Sequence, residues 1–175
     1  MLDLRNLTRQ FVHNGLLEAI YLRPQRGVEA IRVDVVDAFE GRGLAGDRSA
    51  NRPSSSSVPS KRQVTLIQAE HLPLIARWTA RPSLDAKILR RNLVISGFNL
   101  LAARSPFADQ ALRVLVGNEV LLVVTGDCAP CSKMEADAAL GLGGYNALRG
   151  HGGVTARIVR GGTLRVGDVV RVVPD

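Results

Sequence analysis

Lysine is nearly missing from this chain: Lys61, Lys87 and Lys133 stand against twenty arginines in 175 residues, at a formal charge of +7. The positive charge is therefore almost wholly guanidinium, which suits two-pronged binding of phosphate or carboxylate. Aromatic residues are also scarce, at 4%. With the arginines scattered and no basic block, the pattern argues against a nucleic-acid surface, which needs stacking platforms and a charge stripe. An anionic small molecule or cofactor in an arginine-lined pocket fits the composition, and so does ordinary solvated surface. No apolar run approaches the length that spans a bilayer. The stretch Met1 to Arg9 mixes charge into every turn and does not read as a signal peptide, so the expected location is cytoplasmic, away from membranes. Only two cysteines occur, Cys128 and Cys131. In a reducing compartment their C-x-x-C spacing argues against a disulfide scaffold.

What is present is apolar residues, 46% of the chain, enough to bury a core in one domain. Residues 1–14 show no dominant period and read as a loosely attached arm, ahead of a single domain over 15–175. Strands are predicted at 16–22 and 28–36, the latter with Ile31, Val33 and Val35 on one face. Gly41 to Ser49 is a glycine-rich loop whose spacing matches neither the phosphate-binding loop nor the dinucleotide fingerprint. The serine-rich stretch within 50–60 reads as a flexible surface loop. Further strands are predicted at 62–67, 93–95, 111–116, 120–124, 152–159 and 164–173, with a hairpin at Gly117-Asn118 and a bend at Gly167-Asp168. Helices are expected around Leu74 to Trp78 and from Lys133 to Leu140. His71 reads as a capping or surface histidine. About eight short β segments, two or three short helices and no βαβ alternation predict a mainly β chain that closes, fully or partly, into a barrel.

The chemistry concentrates in Gly126-Asp-Cys128-Ala-Pro130-Cys131-Ser-Lys-Met-Glu135 and its continuation Gly143 to Gly153. Ser132 and Glu135 stand in the Ser-x-x-Glu arrangement of a capping box, which makes Ser132 the expected N-cap of the helix that follows. Cys131 would then sit where strand passes to helix, its sulfur facing the helix's positive end near Lys133. The thiolate favoured there is the form that attacks electrophiles or ligates metals. The alternative for this residue is a buried, inert cysteine.

Taken in order, Gly43-Leu-Ala-Gly46-Asp47-Arg48, Arg62-Gln-Val-Thr-Leu-Ile67, Arg91-Asn92-Leu-Val, Pro130-Cys131-Ser-Lys, Gly150-His-Gly-Gly153-Val-Thr-Ala-Arg157 and Gly162-Thr-Leu-Arg-Val-Gly167-Asp168 resemble a MOSC domain, the domain named for the C-terminal part of molybdenum cofactor sulfurase. The likeness runs over roughly residues 15 to 172 and is strongest to the small, free-standing bacterial members. It implies a β-barrel and a single cysteine, aligned with Cys131, that carries sulfur or ligates molybdenum in a pterin cofactor. Larger relatives reduce N-hydroxylated compounds. The resemblance makes Cys131 the catalytic and metal-ligating residue. Around it, Arg48, Arg91, Asn92, Lys133, Tyr145, Asn146, Arg149, His151 and Arg157 are the expected contacts of molybdopterin, a cofactor expected to be absent or lost in recombinant protein. Cys128 matches no position the family requires; it would resolve an oxidised or persulfidated Cys131, or do nothing. Ser49 stands where many relatives have a histidine. The chain has no sulfurase domain with a pyridoxal phosphate lysine, so a cysteine desulfurase or an electron-transfer protein is the expected partner.

Two other classes compete with an oxidoreductase. One is a non-enzymatic carrier that holds the cofactor or a persulfide sulfur for a partner. The other joins Cys128, Cys131 and His151 on zinc, although zinc normally takes four protein ligands, or three and a water.

Overall fold

The computed structural model describes residues 3–51, 58–136 and 139–173. Its elements run α1 (Leu4–Leu7), β1 (Gly15–Leu22), β2 (Ile31–Val33), β3 (Val35–Phe39), β4 (Gly43–Leu44), β5 (Val64–Gln68), α2 (His71–Trp78), β6 (Leu93–Ser96), β7 (Arg113–Val116), β8 (Val120–Asp127), α3 (Gly144–Leu148), β9 (Val154–Arg160), β10 (Gly162–Arg165) and β11 (Val169–Val173). Single 3-10 turns stand at Ala86–Leu89 and Ser132–Glu135. Residues 52–57, the centre of the predicted serine-rich loop, lie outside the described residues. Among the described residues no helix is long and apolar enough to cross a membrane.

Seven strands close on themselves in the order β11-β7-β8-β9-β5-β6-β1, with Gly15 opposite Val170 completing the ring. This is the predicted barrel. β2 pairs outside it on β1, and β10, β3 and β4 form a small separate sheet. The hairpin also stands where the sequence puts it, with Val116 opposite Val120. Alternation along the strands divides the apolar residues between two cores. Leu17, Leu66, Leu93, Ile95, Leu122 and Ala156 fill the interior. Their neighbours Ile67 and Val94 point the other way, under Ile75, Leu89, Met134 and Leu148 of the covering helices and turns.

Three expectations change. β5 and β6 run parallel, Leu66 opposite Leu93, so one βαβ unit exists after all, with α2 in its crossover. Strands buried on both faces read as unbroken apolar runs, which hides their parallel pairing. The strand predicted at 28–36 is two strands in two sheets, broken at Asp34, whose carbonyl accepts from Val166 N at 2.9 Å. Ile31 and Val35 are exposed, and the buried residues there are Val36 and Ala38. Gly167-Asp168 is no bend within one strand but the turn that takes the chain from the small sheet to the barrel.

The N-terminal arm carries contacts that its composition does not announce. Arg5 pairs with Asp109 at 3.1 Å and lies over the Phe107 ring, and Phe11 stacks on Phe98 with centroids 4.7 Å apart.

Candidate functional site

Four segments meet at one end of the barrel: the chain leaving β1 at Arg23, the loop after β4, the entrance to β5 and the entrance to β6. Arg23, Asp47, Arg48, Ser49, Arg62, Gln63, Thr65 and Asn92 line a cleft of about 310 Å³ between them. Asn92 is the cross-brace. Its Oδ1 accepts from Thr65 N at 3.1 Å and Oγ1 at 3.0 Å, while its Nδ2 donates to Tyr21 O and to Asp47 Oδ2, each at 3.1 Å.

Positive charge is in excess here, with three arginines and one aspartate in the lining. Burial pushes the Arg23 guanidinium below its ordinary range; Asp47 opposes this, and the charges of Arg90, Arg48 and Arg62 add to it. The ion pairs among the described residues lie elsewhere, between Arg5 and Asp109 and between Lys87 and Glu29 or Asp85. The guanidiniums of Arg23, Arg48 and Arg62 are thus gathered without a carboxylate in salt-bridge contact, an arrangement that an anion relieves.

Arg91 has a different part. It is 5% exposed and donates to three backbone carbonyls: Nε to Gly152 at 2.6 Å, Nη1 to Leu89 at 2.7 Å and Nη2 to Cys128 at 3.1 Å. Burial pushes its guanidinium down, opposed first by Cys128 and, after the added push from Arg62, by Cys131. Arg91 therefore ties the cysteine loop to the barrel and commits three of its five N–H donors to doing so. Cys128, also buried, anchors the loop further by donating its N–H to Gly153 O at 2.8 Å.

Cys131 is exposed, with extended backbone. The helix expected to follow it is a single 3-10 turn, and at Ala136 the chain is extended again. Ser132 makes no cap; Cys131 occupies the N-cap position without a side-chain bond. Glu135 serves another element. Its carboxylate accepts from Gly143 N at 3.0 Å and Tyr145 N at 2.7 Å, capping α3 from eight residues or more away. The capping signature was read locally, whereas tertiary contact took the carboxylate. Cys131 consequently faces one short turn and not the positive end of a long helix.

The other predicted residues separate. Arg48 and Asn92 line the cleft. Asn146, Arg149 and His151 line a second cavity of about 440 Å³ with Trp78, Gly143 and Ala147. Lys133 and Tyr145 are exposed on the 3-10 turn and α3. Arg157 lies opposite Val123 on β9 and lines neither cavity. Arg23 and Arg62 are cleft residues not among the expected cofactor contacts, although Arg62 opens one of the family motifs. Their signal was positional, one arginine just past the end of β1 and the other just before β5. Cys128, Cys131 and His151 do not converge either: among the described residues no three metal-binding side chains gather.

His71, at the start of α2, neither caps it nor lies free on the surface. Its ring packs edge-on against His151, with centroids 4.9 Å apart, and His151 packs against Trp78 at 4.8 Å. Burial pushes His71 below its ordinary value, and the neighbouring His151 adds to this. The unfolded chain then binds the proton more readily than the folded one. This contribution to stability is complete above about pH 6.5 and is lost as pH falls through the lowered folded value. Denaturant titrations between pH 7.5 and 5 should show falling stability, with a shallower fall in His71→Phe.

The MOSC domain sequence model matches residues 45–171. The chain belongs to the MOSC domain family. Solved structures share its fold at low identity. YuaD from Bacillus subtilis superposes with a TM-score of 0.71 at 18% identity, covering 90% of this chain and 94% of its own. YiiM from Geobacillus stearothermophilus gives 0.67 at 15%, covering 91% and 75%. YiiM from Escherichia coli gives 0.66 at 16%, covering 93% and 71%. No curated protein matches the chain in sequence.

Proposed function

We propose that this MOSC domain binds the phosphate of a molybdopterin-type cofactor in the cleft of Arg23, Arg48 and Arg62, with the exposed Cys131 as its sulfur ligand. The observation that carries the reading is the gathering of three guanidiniums around the single carboxylate of Asp47, none of them salt-bridged among the described residues, at the end where Arg91 holds the cysteine loop. Guanidinium suits a phosphate through paired hydrogen bonds, and a thiolate suits a soft or high-valent metal, so the residues present fit the group. When bound, the molybdenum centre would supply two-electron redox chemistry, with N-hydroxylated compounds as the substrate class. The chain's own work is to hold the phosphate, to fix the loop through Arg91 and Cys128, and to present the Cys131 sulfur to solvent. On this reading the protein acts in the cytoplasm beside an electron-transfer protein.

The exposure of Cys131, against the burial of Cys128, favours a second reading in which Cys131 carries a persulfide sulfur received from a cysteine desulfurase. One preparation separates the two. Protein from a molybdate-replete host should hold molybdenum and pterin; Arg48→Ala/Arg62→Ala should lose both, and Cys131→Ala should lose the metal. Neither species rising above the level in an unrelated protein prepared alongside, both as isolated and after incubation with molybdopterin and molybdate, would end the cofactor reading. Cofactor-free protein that gains the mass of one sulfur on Cys131, after incubation with a cysteine desulfurase and cysteine, would promote the carrier.

A further inference from the structure

We propose that Asp47 is a positioning residue that sets Arg23 and Arg48 around a doubly charged tetrahedral anion, and that its geometry outweighs the unfavourable effect of its own charge. The proposal rests on the reading of the cleft as an anion site and deepens it.

Asp47 is 2% exposed, and a carboxylate so buried needs its acceptor sites filled. Its donors are all uncharged. Oδ2 accepts from Arg23 N at 2.9 Å and Asn92 Nδ2 at 3.1 Å; Oδ1 accepts from Ser49 N at 2.9 Å and Ser49 Oγ at 2.7 Å. Arg48 N donates in turn to Arg23 O at 2.9 Å. Asp47 thereby joins the end of β1, its own loop and the entrance to β6, and Asn92 extends the tie to Thr65 of β5. Every segment that lines the cleft is held by this one network.

Two consequences follow from the choice of donors. Because Asp47 is satisfied by amides and a hydroxyl, it takes no guanidinium out of use, and those donors stay free for a ligand. Because its charge nonetheless sits among Arg23, Arg48 and Arg62, the lining residues keep two net positive charges, with Arg90 near enough to add to the field on Arg23, which favours a phosphate monoester or sulfate over a carboxylate.

Charge and geometry make opposite forecasts for Asp47→Asn. Removing a negative charge would, on charge alone, strengthen anion binding. The amide oxygen can keep both Ser49 donors, but the new NH2 would face Arg23 N–H and Asn92 Nδ2, donor against donor, and the braced segments would separate. A role confined to folding would lower the melting temperature and leave the affinity of the folded protein unchanged.

The test is calorimetric titration of the purified full chain with inorganic phosphate, sulfate and acetate at low ionic strength, alongside thermal denaturation. Wild type should bind phosphate and sulfate in preference to acetate. Asp47→Asn should bind both about tenfold more weakly while folded, since each 1.4 kcal/mol is tenfold and an unsatisfied buried group costs on that order. Ser49→Ala removes one donor and should cost about threefold, and it carries the test if Asp47→Asn does not fold. Asp47→Asn or Ser49→Ala binding as tightly as wild type, or more tightly, overturns the positioning role. Acetate binding equal to sulfate overturns the dianion match, and wild type binding neither phosphate nor sulfate ends the anion-cleft reading beneath it.

Discussion

Gly153→Ala should cost about 4 kcal/mol or more, enough to lower the melting temperature by about 10 °C or to prevent soluble expression. Two independent terms add here. Gly153 has φ +88°, in the left-handed region that costs a side chain roughly 1–2 kcal/mol. Its Cβ would also overlap the Leu66 carbonyl oxygen and come within 3.0 Å of Ile67 Cα, both backbone atoms of β5 that no rotamer change can move. Gly153 lies at the start of β9 and accepts the Cys128 N–H, so the damage falls on barrel and cysteine loop together. Gly41→Ala is the control. Its φ is +70° with nothing within 4 Å of the added carbon, so it should cost only the conformational term, roughly 1–2 kcal/mol. Urea titrations of the two variants measure the steric part by difference, and equal costs would show that β5 yields at Leu66.

Arg91→Met should destabilise the chain by about 3–5 kcal/mol, because it leaves three backbone carbonyls without their donor in a site that excludes water. The comparison that matters is local. Gly152 O and Leu89 O belong to the scaffold, whereas Cys128 O belongs to the loop that carries the exposed thiol. Loss of the guanidinium should therefore expose Cys128 to alkylation in denaturant concentrations well below the global midpoint, a gap absent in wild type. Arg91→Lys should recover less than half of the loss, since an ammonium cannot reproduce the planar fork that reaches three carbonyls in different directions. Coincident labelling of Cys128 and global unfolding in Arg91→Met would show that the loop needs no tie from this residue.

These two residues also mark what kind of information the sequence carried. Arg91 and Gly153 both stood in family motifs, and what the motifs did not carry is their structural work: Arg91 bonds three backbone carbonyls and Gly153 lets β9 lie against β5. The capping signature at Ser132 and Glu135 failed for a related reason. A carboxylate three residues on can cap locally or reach another segment, and Glu135 reaches α3. The strand predicted over 28–36 failed because β-propensity is read along the chain, while the break at Asp34 is imposed by pairing with β1 on one side and β10 on the other. The hairpin at Gly117 succeeded because it is local: a glycine at φ +63° between two apolar runs needs nothing distant to turn.

By itself the amino-acid sequence determined the mainly β barrel, its turns and the family motifs, because side-chain alternation and glycine conformation act over a few residues. It also determined that the charge would be guanidinium and that one short stretch would hold both thiols. Only the tertiary structure decided which thiol meets solvent: Cys128 is buried and Cys131 exposed, with the Cys128 backbone pinned by Gly153 and Arg91 from elsewhere in the chain. It likewise decided that Arg23, Arg48 and Arg62 share one cleft while Asn146, Arg149 and His151 share another. Convergence of like charges depends on how a barrel closes, and closure brings together residues whose spacing along the chain has no period to read.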